Sequence, residues 1–83
     1  MIHILYFASL RDIAGKTEET LDPNDAATVR ELADFIGKTS PQLGEMIHGK
    51  KVMVSVNQDV ANLDTPVRDG DEVAFLPPFS GGA

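Results

Sequence analysis

The chain has 83 residues and a formal charge of −6, from 13 acidic and 7 basic side chains. That length allows one domain, which hides only roughly 60–65% of its unfolded surface, and without cysteine neither a disulfide nor a thiolate-bound metal can staple it. No apolar run reaches the length of a membrane span, and an acidic surface with no basic stripe argues against nucleic acid; a cytoplasmic protein is expected, whose charge either favours basic partner patches or only keeps it soluble.

Ile2 to Ala8 is almost wholly apolar, with β-branched and aromatic types, and predicts a first strand buried on both faces. Ser9-Leu10-Arg11-Asp12 predicts a capped helical turn that Gly15 ends. Thr17 to Leu21 alternates weakly and returns as an edge strand with its glutamates facing water. Thr28 and Glu31 make a capping box, after which Val29, Leu32, Ala33 and Ile36 repeat on one face of a helix, with Gly37 as its stop. Ser40-Pro41 opens a second short helix, with proline at its first position and Leu43, Met46 and Ile47 inward.

Val52, Val54 and Val56 alternate with Met53 and Ser55 in a third strand. Asn57-Gln58 then turns the chain into a short strand over Asp59 to Ala61. Asp69-Gly70-Asp71 is a second turn, and Glu72 to Leu76 is the last strand, closed by Pro77-Pro78, which have no N–H to donate to a ladder. The main order is β-β-α-β-β-β. It predicts an α+β fold, a β-grasp (ubiquitin-like) roll in which a mixed β-sheet packs on one main helix and the first and last strands run parallel at its centre. Residues 1–76 form the domain, and 77–83 a flexible C-terminal tail.

Two stretches, Gly15-Lys16-Thr17 and Gly37-Lys38-Thr39, end like a phosphate-binding loop, but the glycine needed five residues earlier is Leu10 or Leu32, so both are read as turns. His3 and His48 have no third ligand or paired carboxylates in any metal-binding spacing, and His3 belongs on the outer face of the first strand. No Gly-x-Ser-x-Gly elbow frames a serine. A self-contained catalytic site is therefore not expected.

The tail LPPFSGGA, Leu76 to Ala83, has a chemistry of its own. A terminal carboxylate has a pKa of roughly 3.3–3.7, so it is ionised and a poor electrophile until ATP converts it to an acyl adenylate. Glycine puts no Cβ beside the attacked carbonyl and lets an extended backbone thread a narrow channel. Pro77 and Pro78 stiffen the exit and reduce the entropy lost when the tail is ordered. Residues 77 to 82 span roughly 20 Å when extended, enough to enter a partner's buried site. The plainer alternative is a floppy end of small residues.

The last third of the chain settles which of these to expect. Val56-Asn57-Gln58, Pro66-Val67, Asp69 to Phe75, Pro77-Pro78 and Gly81-Gly82, with the opening strand that ends in Phe7-Ala8 before Leu10-Arg11, resemble the MoaD-type sulfur carriers, the small subunits of molybdopterin synthase. The Pro-Pro before Gly-Gly separates them from the thiazole-synthesis carriers of the same ThiS/MoaD ubiquitin-like family. The resemblance implies a non-catalytic carrier, active only within its complex. An E1-like adenylyltransferase (MoeB-type) consumes ATP to adenylate the terminal glycine, a persulfide donor converts it to a thiocarboxylate, and the tail delivers sulfur to a pterin precursor in the large synthase subunit (MoaE-type). It binds no cofactor itself. By position, Gly82 carries the acyl group and Gly81 is its slender neighbour, while Pro77, Pro78, Phe79 and Ser80 line the partner channel. Phe7, Phe75 and Leu76 supply apolar docking surface, with Arg11 as a rim ion pair; for Phe7 and Phe75 ordinary core packing is the competing role.

Ala83 departs from this pattern, which ends at Gly-Gly, and is expected either to be trimmed by a peptidase or to be an addition to the natural end. Two other functions share the tail chemistry or dispense with it. A ubiquitin-like modifier, or a carrier for thiamine or tRNA thiolation, uses the same adenylate; a plain binding module leaves the tail inert.

Overall fold

β1 (Ile2–Tyr6) shows how the sheet is covered. Ile2, Ile4 and Tyr6 are buried, His3 is exposed and Leu5 is half-buried. One face therefore meets the helices and the other meets solvent, which corrects the expectation of a strand hidden on both faces. The computed structural model describes residues 1–78. The remaining elements are α1 (Ser9–Ala14), β2 (Glu18–Leu21), α2 (Val29–Thr39), α3 (Pro41–His48), β3 (Met53–Val56), β4 (Asp59–Val60) and β5 (Glu72–Leu76). The sheet order is β2-β1-β5-β3-β4, with β1 and β5 parallel and every other neighbour antiparallel. This is the expected β-grasp arrangement, a five-stranded mixed sheet with helices against one face.

β1 ends two residues earlier than its apolar run. At Ala8 the backbone leaves the extended region with φ 52° and ψ −131°, and α1 starts at once. Ser9 contributes no cap bond; the helix closes at Gly15, whose φ of 77° allows its N–H to donate to Arg11 O at 2.9 Å. β2 is an edge strand as expected, but of its two glutamates only Glu18 is exposed. Glu19 is half-buried and accepts a 2.5 Å hydrogen bond from the hydroxyl of Tyr6.

The capping box of α2 forms with a small shift. The Glu31 N–H donates to Thr28 Oγ1 at 3.3 Å, while Glu31 Oε1 accepts from the Ala27 N–H at 2.7 Å, one residue before the cap. Val29, Leu32, Ala33 and Ile36 are all buried against the sheet. The helix does not stop at Gly37. It runs on to Thr39, so Gly37-Lys38-Thr39 is helical rather than a turn. Gly37 meets Gly44 of α3, where an added Cβ on Gly44 would lie 2.7 Å from Gly37 Cα. The missing side chain of Gly44 lets the helices meet backbone to backbone.

Leu43 and Ile47 turn α3 inward, with Met46 half-buried beside them. Asn57 and Gln58 adopt φ of 51° and 72°, the paired left-handed residues of a type I′ hairpin between β3 and β4. Asn57 also ties the hairpin to the last turn, through Nδ2 to Asp71 Oδ1 at 2.9 Å and from the Glu72 N–H to its own Oδ1 at 3.0 Å. The amino terminus pairs with Asp69 in that turn. Among the described residues no helix is long and apolar enough to cross a membrane.

Candidate functional site: the root of the C-terminal tail

β5 is the middle strand, and its C-terminal end delivers the chain to solvent at the centre of one sheet end. β1 runs parallel beside it to Tyr6↔Phe75, and the Phe7 N–H donates to Phe75 O at 3.1 Å. On the other side Met53 pairs with Leu76. The ladder ends there because Pro77 and Pro78 have no N–H to extend it. Pro77 is half-buried and Pro78 exposed. Phe79, Ser80, Gly81, Gly82 and Ala83, five positions on which the sequence reading depends, lie outside the described residues.

The remaining expected site residues divide. Phe7 is 36% exposed, and the Arg11 guanidinium sits 5.9 Å from its ring centroid, a cation–π contact. Arg11 Nε also donates to Tyr6 O at 3.1 Å, so this side chain closes the end of β1. It pairs with no carboxylate among the described residues. Leu76 is half-buried on the outer sheet face. Phe75 is a correction: it is fully buried, stacked on Tyr6 with ring centroids 6.1 Å apart, and offers no docking surface. Register explains the difference, since Phe75 pairs with inward-facing Val54 and Tyr6, whereas Leu76 and Met53 point outward.

Sequence reasoning missed the rest of that outer face. Leu5 and Ala74 are cross-strand partners on it, half-buried, and Met53 and Ser55 continue it across β3 to Val60, which is 87% exposed. The result is an apolar strip along the outside of the sheet that ends at the tail root. A signal for it existed: the strands are apolar at both alternating positions, yet the helices suffice to cover only one face.

Two titratable groups near this frame are shifted. Burial, then the hydrogen bond from its hydroxyl to Glu19 and that carboxylate's charge, push Tyr6 well above the ordinary tyrosine range. The hydrogen bond and charge of the terminal ammonium hold Asp69 below the usual carboxylate range. His3 and His48 bond to Glu18 at 3.1 Å and Asp34 at 2.8 Å, on opposite sides of the fold from one another's elements.

The ThiS family matches residues 4–82 of the chain, nearly its whole length. This chain belongs to the ThiS family. Relatives within reach of it are 38% identical to the chain over 82 residues, in the molybdopterin synthase sulfur carrier subunit of Escherichia coli (strain K12), covering 99% of this chain and all of that one. The corresponding subunit of Mycobacterium tuberculosis is 35% identical, covering 98% and 96%. Among solved structures, SAMP1 from Haloferax volcanii, a small archaeal modifier protein, superposes with a TM-score of 0.79 at 30% identity over 98% of each chain. The family match ends at Gly82 and leaves Ala83 beyond it.

Proposed function

We propose that the chain is a sulfur carrier for molybdenum cofactor biosynthesis, the small subunit of a molybdopterin synthase, with Gly82 as its working residue. The observation that supports this most directly is the family match over residues 4–82, in a fold whose central strand leads to an exposed Pro78. An E1-like enzyme joins the Gly82 carboxylate to AMP, releasing pyrophosphate. The outer sulfur of a persulfide displaces AMP to form an acyl disulfide, a thiol cleaves its S–S bond by exchange to release the thiocarboxylate, and the tail carries it into the large synthase subunit. Sulfur has to travel on the chain terminus, because the sequence contains no cysteine. Phe7, Leu76 and the apolar strip beside them dock the partner, and Pro77 and Pro78 aim the tail.

The chemistry requires a carboxylate on Gly82, so Ala83 is removed before turnover. The chain ending at Gly82, incubated with its E1-like adenylyltransferase, ATP, a persulfide donor and a reducing thiol, should by intact mass exchange one oxygen for sulfur, and the chain that keeps Ala83 should not. A thiocarboxylate on the chain that still holds Ala83 would show that trimming is unnecessary. No ATP-dependent change of mass at all would sink the carrier reading.

The likeness to SAMP1 favours a second reading, in which lysine amines rather than sulfur attack the same adenylate. A ladder of higher-mass conjugates in cell extract, abolished by removing Gly82, would identify the modifier use.

A further inference from the structure

The chain has no cysteine, so Met1, Met46 and Met53 hold its only sulfur atoms. They stand in three different places. Met1 is 58% exposed and precedes β1, at the end of the sheet away from the tail root, because β1 and β5 run parallel. Met46 is half-buried in α3, packed against the core. Met53 opens β3, half-buried and directly opposite Leu76.

In an antiparallel pair, residues directly opposite hold their side chains on the same face, with Cβ atoms roughly 4.5–5.5 Å apart. The Met53 thioether therefore lies beside the last residue before Pro77, in the apolar strip that Leu5 and Ala74 continue. None of Leu5, Ala74 and Leu76 has a side-chain N–H or O–H to offer. Met53 also borders an open cleft of about 290 Å³ with Val52 and Val60, so a small solute reaches it from solvent.

We propose that Met53 is an oxidation site: hydrogen peroxide converts its thioether to the sulfoxide, which weakens docking of the large synthase subunit on the outer face. The inference rests on the carrier reading above. A sulfur lone pair takes one oxygen of the peroxide and the O–O bond breaks. The leaving hydroxide takes the proton of the transferred oxygen and departs as water, so sulfur is oxidised and the peroxide reduced. The product is polar and chiral where the thioether was apolar. Water solvates it on the free chain, whereas a partner lying on Leu5, Ala74 and Leu76 buries its oxygen among side chains that donate nothing. The change is reversible, since a methionine sulfoxide reductase with a thiol returns the thioether.

The test exposes the full chain to hydrogen peroxide, assigns oxidation at each methionine by peptide mass, and measures affinity for the large subunit from the same organism by calorimetry. Sulfur loading of the chain ending at Gly82 is followed separately by intact mass. Oxidation should lower affinity about tenfold, the smaller end of the cost of burying a polar group unpaired, and sulfoxide reductase should restore it. Met53→Leu, compared with itself before and after peroxide, should show no loss, although Met1 and Met46 remain. Adding the large subunit first should slow oxidation of Met53 and leave that of Met1 unchanged. Unchanged affinity with Met53 fully converted overturns the inference and leaves the carrier reading standing. So does a Met53 that stays unoxidised while Met1 is converted, or an equal loss in the Met53→Leu chain. If the terminus takes up sulfur but no complex forms, the inference falls alone; if neither occurs, both fall.

Discussion

Tyr6 is the chain's single tyrosine, and there is no tryptophan, so its ionisation can be followed without interference. Its ring lies in the core on Phe75 and its hydroxyl donates to Glu19. Burial raises its pKa first, and the Glu19 carboxylate adds to that. An unfolded tyrosine loses its proton at about pH 10, while the folded one keeps it, so the folded state binds more protons above that pH. Stability contributed by the neutral hydroxyl is complete below about pH 10 and declines as pH rises further. In an alkaline titration the phenolate absorbance should appear together with loss of the folded circular dichroism signal. A phenolate band that rises while the fold persists would contradict the buried pair. Tyr6→Phe should remove this residue's share of the alkaline slope. It should also cost about 1–3 kcal/mol at neutral pH, because Glu19 is left part-buried with only Lys16 nearby, at 3.6 Å. None of this was legible in the sequence, where Glu19 reads as one of two solvent-facing acids on an edge strand.

At the scale of elements, the crossing of α2 and α3 turns two glycines into opposite experiments. A Cβ on Gly44 would stand 2.7 Å from Gly37 Cα and 3.2 Å from Ala33 O, both backbone atoms that cannot swing aside. Gly44→Ala must push the helices apart, at a cost of about 1–3 kcal/mol. A Cβ on Gly37 meets nothing closer than Gly44 Cα at 3.7 Å, an ordinary contact. Gly37→Ala should therefore stabilise the chain by roughly 0.5–1 kcal/mol, the gain from replacing glycine inside a helix. Urea midpoints of the two variants should move in opposite directions; both falling would mean that the crossing is tighter on both sides. The helices themselves were readable, from Thr28 with Glu31, from the spacing of Val29, Leu32, Ala33 and Ile36, and from Pro41 at the start of α3. Gly37 was misread because a glycine stops a helix where it takes a positive φ, and here it keeps a helical backbone inside α2. The strands were legible for the same local reasons, and their ends were not, since β1 stops where Ala8 takes a positive φ that no residue type announces.

At the scale of the whole molecule, the carrier reading assigns docking and chemistry to separate parts, and that assignment can be measured. Among the described residues the last core side chain is Phe75, and the last element, β5, ends at Leu76. The role proposed for the tail rests on its own composition and on the resemblance. Strands apolar at both alternating positions signalled an uncovered apolar face, but which of Phe7 and Phe75 lies on it depends on pairing register, which the sequence leaves open. Deleting residues 79–83 should leave the unfolding free energy from urea titration unchanged within about 0.5 kcal/mol, as for surface changes generally. The truncated chain should transfer no sulfur, yet it keeps the face around Phe7, Leu76 and Met53. It should therefore compete with the full chain for the large synthase subunit, lowering the rate of sulfur delivery in proportion to its concentration. Phe7→Ala made in the truncated chain should blunt that competition by about tenfold or more, since exposed aromatic anchors carry much of an interface's energy. It should remain folded, because the ring is partly exposed and the core beneath it is supplied by Tyr6 and Phe75. If the truncated chain does not compete at all, the tail supplies the binding as well as the chemistry, and the outer face is not where the partner lies.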